Sequence, residues 1–135
     1  MIVVGIVLII MVVAIPAMIR GKMTGNEANA VAAVRTINNA CNLYLFQTNT
    51  FPTVLTDLSN ATPPYISSSL ANASQTSPQN GYYYTYTLVG TTGFNVIGQP
   101  SRWQVTGSKC YAASQTGRLL YCTTAANCTP SLDMQ

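Results

Sequence analysis

The sequence predicts an α+β fold: a long N-terminal α-helix, apolar in its first half and amphipathic in its second, packed on a small antiparallel β-sheet. Three observations predict it. Residues 1–19 carry no charged side chain. Apolar residues then recur at three- and four-residue spacing as far as Tyr44, the period of one helix face. From Tyr82 onward, runs rich in Tyr and Thr are separated by glycine-containing turns, as in strands joined by short connections. With 135 residues, the chain has room for one domain of about 100 residues after the apolar run.

The first element, 1–25, opens with MIVVGIVLIIMVVAIPAMIR. A helix rises about 1.5 Å per residue, so the uncharged run spans roughly 30 Å, the thickness of a bilayer core. It suits a lipid bilayer or burial against copies of itself. The expected packing residues are Met1, Ile2, Val3, Val4, Ile6, Val7, Leu8, Ile9, Ile10, Met11, Val12, Val13 and Ile15. Gly5 and Pro16 are its weak points. A proline removes one bond to the carbonyl four residues back, which loosens the ladder near Val12 and favours a kink or local melting. The run has no basic stretch before it and no small-x-small cleavage site, so it reads as part of the mature protein rather than a cleaved signal. Arg20 and Lys22, in the RGKMTG segment 20–25, mark the edge of the apolar region. The positive-inside rule would place them on the cytoplasmic side, which conflicts with export of the larger part that follows; the cysteines and low charge of that part favour export.

The second segment, 26–58, combines an amphipathic helix with the step that leaves it. Ala30, Val34, Ile37, Cys41 and Tyr44 form the stripe, with Leu45 beside them, while Glu27, Arg35, Asn38, Asn42 and Gln47 lie largely off it. Pro52 biases Phe51 away from helical geometry, and Phe51, Val54, Leu55 and Leu58 are expected to fold back on the helix. Residues 59–81 are rich in Ser, Asn, Pro and Thr and read as a surface loop. Residues 82–135 supply the sheet and a tail: a strand from Tyr82, a turn over 90–93, a strand at 94–97, a short edge strand at 102–105, and a hairpin of 109–113 with 118–122. The tail, 123–135, is pinned by Cys128.

Composition narrows the function. Only 7% of residues are charged, the net charge is +3 and there is no histidine, which removes histidine acid–base work and histidine metal sites. The basic residues are scattered, so no specific nucleic-acid partner is expected. The chain has no glycine-rich phosphate loop, no H-E-x-x-H and no nucleophile elbow. No C-x-x-C spacing and no C-x-x-C-H haem site occurs either. The expectation is a protein that is not an enzyme and has no cofactor and no metal. The eight tyrosines read as strand and core packing rather than an aromatic track.

Four cysteines behind an apolar N-terminus suggest an oxidising destination. They allow three pairings. The favoured one closes a small loop with Cys122–Cys128 and joins helix to sheet with Cys41–Cys110, each bond contributing about 2–4 kcal/mol. Asn60, Asn72 and Asn127 sit in N-x-S/T motifs and are candidate glycan acceptors.

MIVVGIVLIIMVVAIPA resembles the N-terminal segment of type IV pilins and of type II secretion pseudopilins, in which a proline followed by Ala interrupts the apolar helix, as Pro16-Ala17 does here. Phe51-Pro52-Thr53 resembles the step after the helix in that family. GYYYTYT, GFNVIG and the hairpin of Cys110 and Cys122 resemble its small sheet. The resemblance implies a pilin-like fold. It also implies a leader removed by a prepilin peptidase and about six mature residues upstream of Met1, including an aromatic residue and a glutamate. The expected function is a major subunit of an extracellular type IV pilus, methylated at its amine and polymerising as a helical homopolymer. Its partners are then other copies, the inner membrane before assembly, the pilus assembly platform, the prepilin peptidase and a surface glycan. The alternatives are a periplasmic pseudopilin of a type II secretion system and a solitary membrane-anchored binding domain. The resemblance also implies calcium binding by acidic residues of a C-terminal loop, but Asp133 alone stands there and the site is not carried over.

Overall fold

The computed structural model describes residues 2–123, with residues 11–15 described in backbone only. The architecture is α+β. One helix, α1 (Ile2–Thr48), runs without a break through both expected helical segments, including Gly5, Pro16 and the RGKMTG stretch. It ends where Asn49 takes a left-handed conformation (φ 58°) and donates its N–H to the Leu45 carbonyl at 2.8 Å. Asparagine tolerates that geometry, and it satisfies one of the helix's terminal acceptors.

Two short helices, α2 (Leu55–Asn60) and α3 (Ser68–Ala71), follow. The second corrects the expectation of a plain loop over 59–81. Ser67 caps α3 by accepting from the Leu70 N–H at 3.4 Å, and Ile66, Leu70 and Ala73 are buried in the main core. Three apolar residues separated by polar ones were too sparse a pattern to outweigh the Ser, Pro and Asn around them. Phe51, Leu55 and Leu58 fold back as expected, whereas Val54 stays exposed at the start of α2.

Four antiparallel strands form one sheet in sequence order: β1 (Tyr82–Val89), β2 (Gly93–Pro100), β3 (Cys110–Ser114) and β4 (Leu119–Cys122). The strand expected at 102–105 is absent. That segment is a turn in which the Thr106 N–H donates to the Arg102 carbonyl at 2.9 Å, with a single bridge between Trp103 and Gly107.

Strand alternation decides what each face buries. Tyr82, Tyr84, Phe94, Val96, Tyr111 and Ala113 face the helix stripe of Ala30, Val34, Ile37 and Cys41, together forming the main core. Ile97, Cys110 and Ala112 face the other way, against Trp103, Leu120 and Cys122. The helix crosses the sheet closely at Gly98, where an added Cβ would stand 3.1 Å from both a Val34 methyl and the Tyr84 ring.

Candidate interaction surface

The head of the molecule begins where α1 first meets the rest of the chain. Asn26 donates its side-chain N–H to the Thr106 carbonyl at 2.9 Å. Glu27 accepts from the Ser108 N–H (2.9 Å) and the Ser108 hydroxyl (2.8 Å), and lies 4.0 Å from the Lys109 ammonium. These bonds fasten the helix to the β2–β3 connection. Farther along α1, Asn38 is buried, donates to the Ser114 carbonyl at 2.7 Å and accepts from Asn42 at 3.2 Å. The sequence places Asn38 off the apolar stripe, and helical spacing alone gives no sign that its amide reaches the sheet. Its position one turn from Asn42 was the available signal.

Before Asn26 the helix has no such ties among the described residues. Ile2, Val3, Val4, Ile6, Val7, Leu8, Ile9 and Ile10 are exposed, from 80% at Ile2 to 43% at Val7. Met18 and Ile19 are also exposed. Met1 lies outside the described residues, as do the side chains of Met11, Val12, Val13 and Ile15. Gly5 has open space around it. Among the described residues no helix is long and apolar enough to cross a membrane. On the head, Leu43 and Phe46 are two exposed apolar residues near the end of α1, with Phe46 82% exposed.

The cysteines do not pair as expected. Cys41 is a free, buried thiol pushed up to about 12 by its burial, while Cys110 is disulfide-bonded. The Cys41–Cys110 bond is therefore corrected. Cys41 is under the helix-facing side of the sheet, and Cys110 belongs to the opposite face, so the sheet itself stands between them. The Cys122–Cys128 expectation involves Cys128, which lies outside the described residues. Cys122 is directly across from Cys110 in the β3–β4 register.

Asn60 is exposed at the end of α2, and Asn72 is exposed at the end of α3, where its amide donates to the Ser68 carbonyl at 2.8 Å. Asn127 lies outside the described residues. The tyrosine hydroxyls are used for anchoring: Tyr82 donates to the Lys109 carbonyl and Tyr86 to the Pro52 carbonyl, each at 2.7 Å, and burial pushes both phenols up. Among the described residues no group of three or more His, Cys, Asp or Glu gathers at one place. A cleft of about 210 Å³ lies between α1 and the β3–β4 turn, lined by Arg35, Asn38, Asn39, Ala113, Gly117 and Leu119.

No family model, curated protein or solved structure matches this chain. The functional reading therefore rests on the residues and the geometry.

Proposed function

We propose that the chain is a structural subunit, a major pilin, of an extracellular filament of the type IV pilus kind. The single observation that carries this is the apolar half of α1, which extends from the head with its described side chains exposed. A helix apolar on every side is not stable in water and has to be covered. Burial stabilises by about 25 cal/mol per Å² of apolar surface, so either lipid or neighbouring copies of the helix satisfy it. The same helix then serves in both places, in the inner membrane before assembly and in the fibre core afterwards. Because the two environments bury comparable area, transfer between them is driven by the assembly platform rather than by a large free-energy difference. The residues from Gly5 to Pro16 are the proposed site of melting within the fibre, because Pro16 removes one helical hydrogen bond there; the isolated chain itself keeps that stretch helical.

No enzymatic role is proposed. The fibre surface is formed by the head, and Asn60 and Asn72 are its proposed glycan acceptors among the described residues. Intact-mass spectrometry of material sheared from the cell surface tests the reading. The expected result is that this chain dominates the sheared fraction, with a methylated amine. Recovery only from the membrane fraction would overturn the pilus reading in favour of a pseudopilin or a solitary anchor.

A further inference from the structure

β1 is an edge of the sheet, and half of its backbone faces outward. The N–H and C=O of Tyr82 bond Gln79 at 3.0 and 2.8 Å, on the side away from β2. In an antiparallel strand alternate residues share that orientation. The N–H and C=O groups of Tyr84, Tyr86 and Leu88 therefore also point outward, and among the described residues they have no hydrogen-bond partner.

Protein edges are ordinarily blunted by a charge, a proline, a bulge or a covering element. β1 has none of the first three. Its sequence is YYYTYTLV, and its eight residues pair one for one with β2. Thr85, Thr87, Leu88 and Val89 are exposed. The whole stretch 58–101 contains no ionised side chain, so the strand itself carries no charge to repel a like strand; the Asp57 carboxylate of α2 acts on the Tyr86 phenol from beside it. The opposite edge, β4, has only four residues and starts next to Arg118.

We propose that β1 is a self-recognition edge, pairing antiparallel with β1 of a second copy about a two-fold axis at Tyr86. The occupant follows from the fit. It has to be extended, uncharged and open on one edge, and β1 meets all three conditions. The register also maps the outward set onto itself. Tyr84 lies opposite Leu88 of the second copy, Tyr86 opposite Tyr86, and Leu88 opposite Tyr84, so every outward amide and carbonyl of the three residues finds a partner. Thr85 then faces Thr87 of the second copy at the closer, non-hydrogen-bonded positions, a favourable cross-strand pair. A two-fold contact is closed and cannot extend a polar helical fibre. Its consequence in a filament is to join two fibres side by side in opposite directions. That consequence rests on the filament reading; the pairing itself does not.

The test uses the full chain in detergent. Thr85→Cys and Thr87→Cys chains are oxidised mildly, separately and mixed, with Thr116→Cys on the far turn as a control. Non-hydrogen-bonded cross-strand positions bring Cα atoms to about 4.5 Å, within disulfide reach. The expected result is a covalent dimer several-fold more abundant in the mixture than in either chain alone, absent with the control, and suppressed when Leu88→Lys is added to both chains. Equal yields in all cases, no dimer, or capture of an unrelated protein at position 85 or 87 would overturn the pairing. Sheared filaments separate the two ideas. Filaments without a mixed dimer leave the filament reading and remove the edge; a mixed dimer without filaments does the reverse.

Discussion

Burial keeps Cys41 protonated and shielded: its thiol is pushed up to about 12, and only thiolate is an effective nucleophile. Alkylating reagent at neutral pH is expected to leave Cys41 unmodified in the folded chain and to label it fully in denaturant, as peptide mapping would read. Appreciable labelling of the native chain at that position would show that the core opens there. Asp57 has the opposite setting. Its carboxylate accepts from the Thr53 hydroxyl at 2.7 Å, the Thr53 N–H at 2.9 Å and the Val54 N–H at 3.1 Å. The Thr53 hydroxyl bond is the main cause of its lowered value, assisted by the backbone bonds and opposed by partial burial. A lowered folded value adds stability above the unfolded carboxylate range, near ~4, and loses it as pH falls through the folded value. Asp57→Asn is therefore expected to lower Tm at pH 6 more than at pH 3, and an equal loss at both would remove the charge from the explanation.

Asn26 and Glu27 tie the start of the head on α1 to the β2–β3 connection. Glu27 on α1 satisfies both the amide and the hydroxyl of Ser108, so Glu27→Ala is expected to cost about 1–3 kcal/mol through the donors it strands. The urea midpoint of the full chain in detergent measures this. Gly107 packs directly against the fully buried phenol of Tyr82, leaving no room for a methyl group. Gly107→Ala is expected to destabilise by about 1–3 kcal/mol. Adding Tyr82→Phe removes the nearest clashing atom, so the double variant should lose less than the sum of the two single losses. Strict additivity would show that the connection shifts instead of clashing.

At the scale of the molecule, the chain divides into a head with its own core and an apolar helix that projects from it. No described contact couples residues 2–10 to the head, so Leu8→Lys is expected to leave head stability within about 0.5 kcal/mol of the parent. In the proposed filament it should nevertheless remove the chain from the sheared surface fraction, because a charge in an apolar fibre core would lack a partner. Calorimetry and intact mass on one preparation read both effects. Normal recovery of the variant from sheared fibres would move the polymer contact away from the apolar half of α1.

Local patterns were enough to read the long helix, its buried stripe from Ala30 to Cys41, the start of β1 at Tyr82 and the β3–β4 hairpin. The helix and its stripe depend on a 3.6-residue period, and the strands on Tyr and Thr content between turn residues, all of which a stretch of sequence displays by itself. The apolar run of residues 1–19 was legible for the same reason, since lack of charge needs no partner to be seen. Other features depended on which groups meet in space. Helix α3 is stabilised by burying Ile66, Leu70 and Ala73 in a core made by distant residues. Asn38 is buried because a carbonyl from β3 arrives to satisfy it. The separation of Cys41 from Cys110 depends on strand phase: a shift of one residue would turn Cys110 toward the helix, and only the paired sheet fixes which way it faces. Edge or centre is likewise a property of strand order, so the open backbone of β1 could be found only after the sheet was assembled.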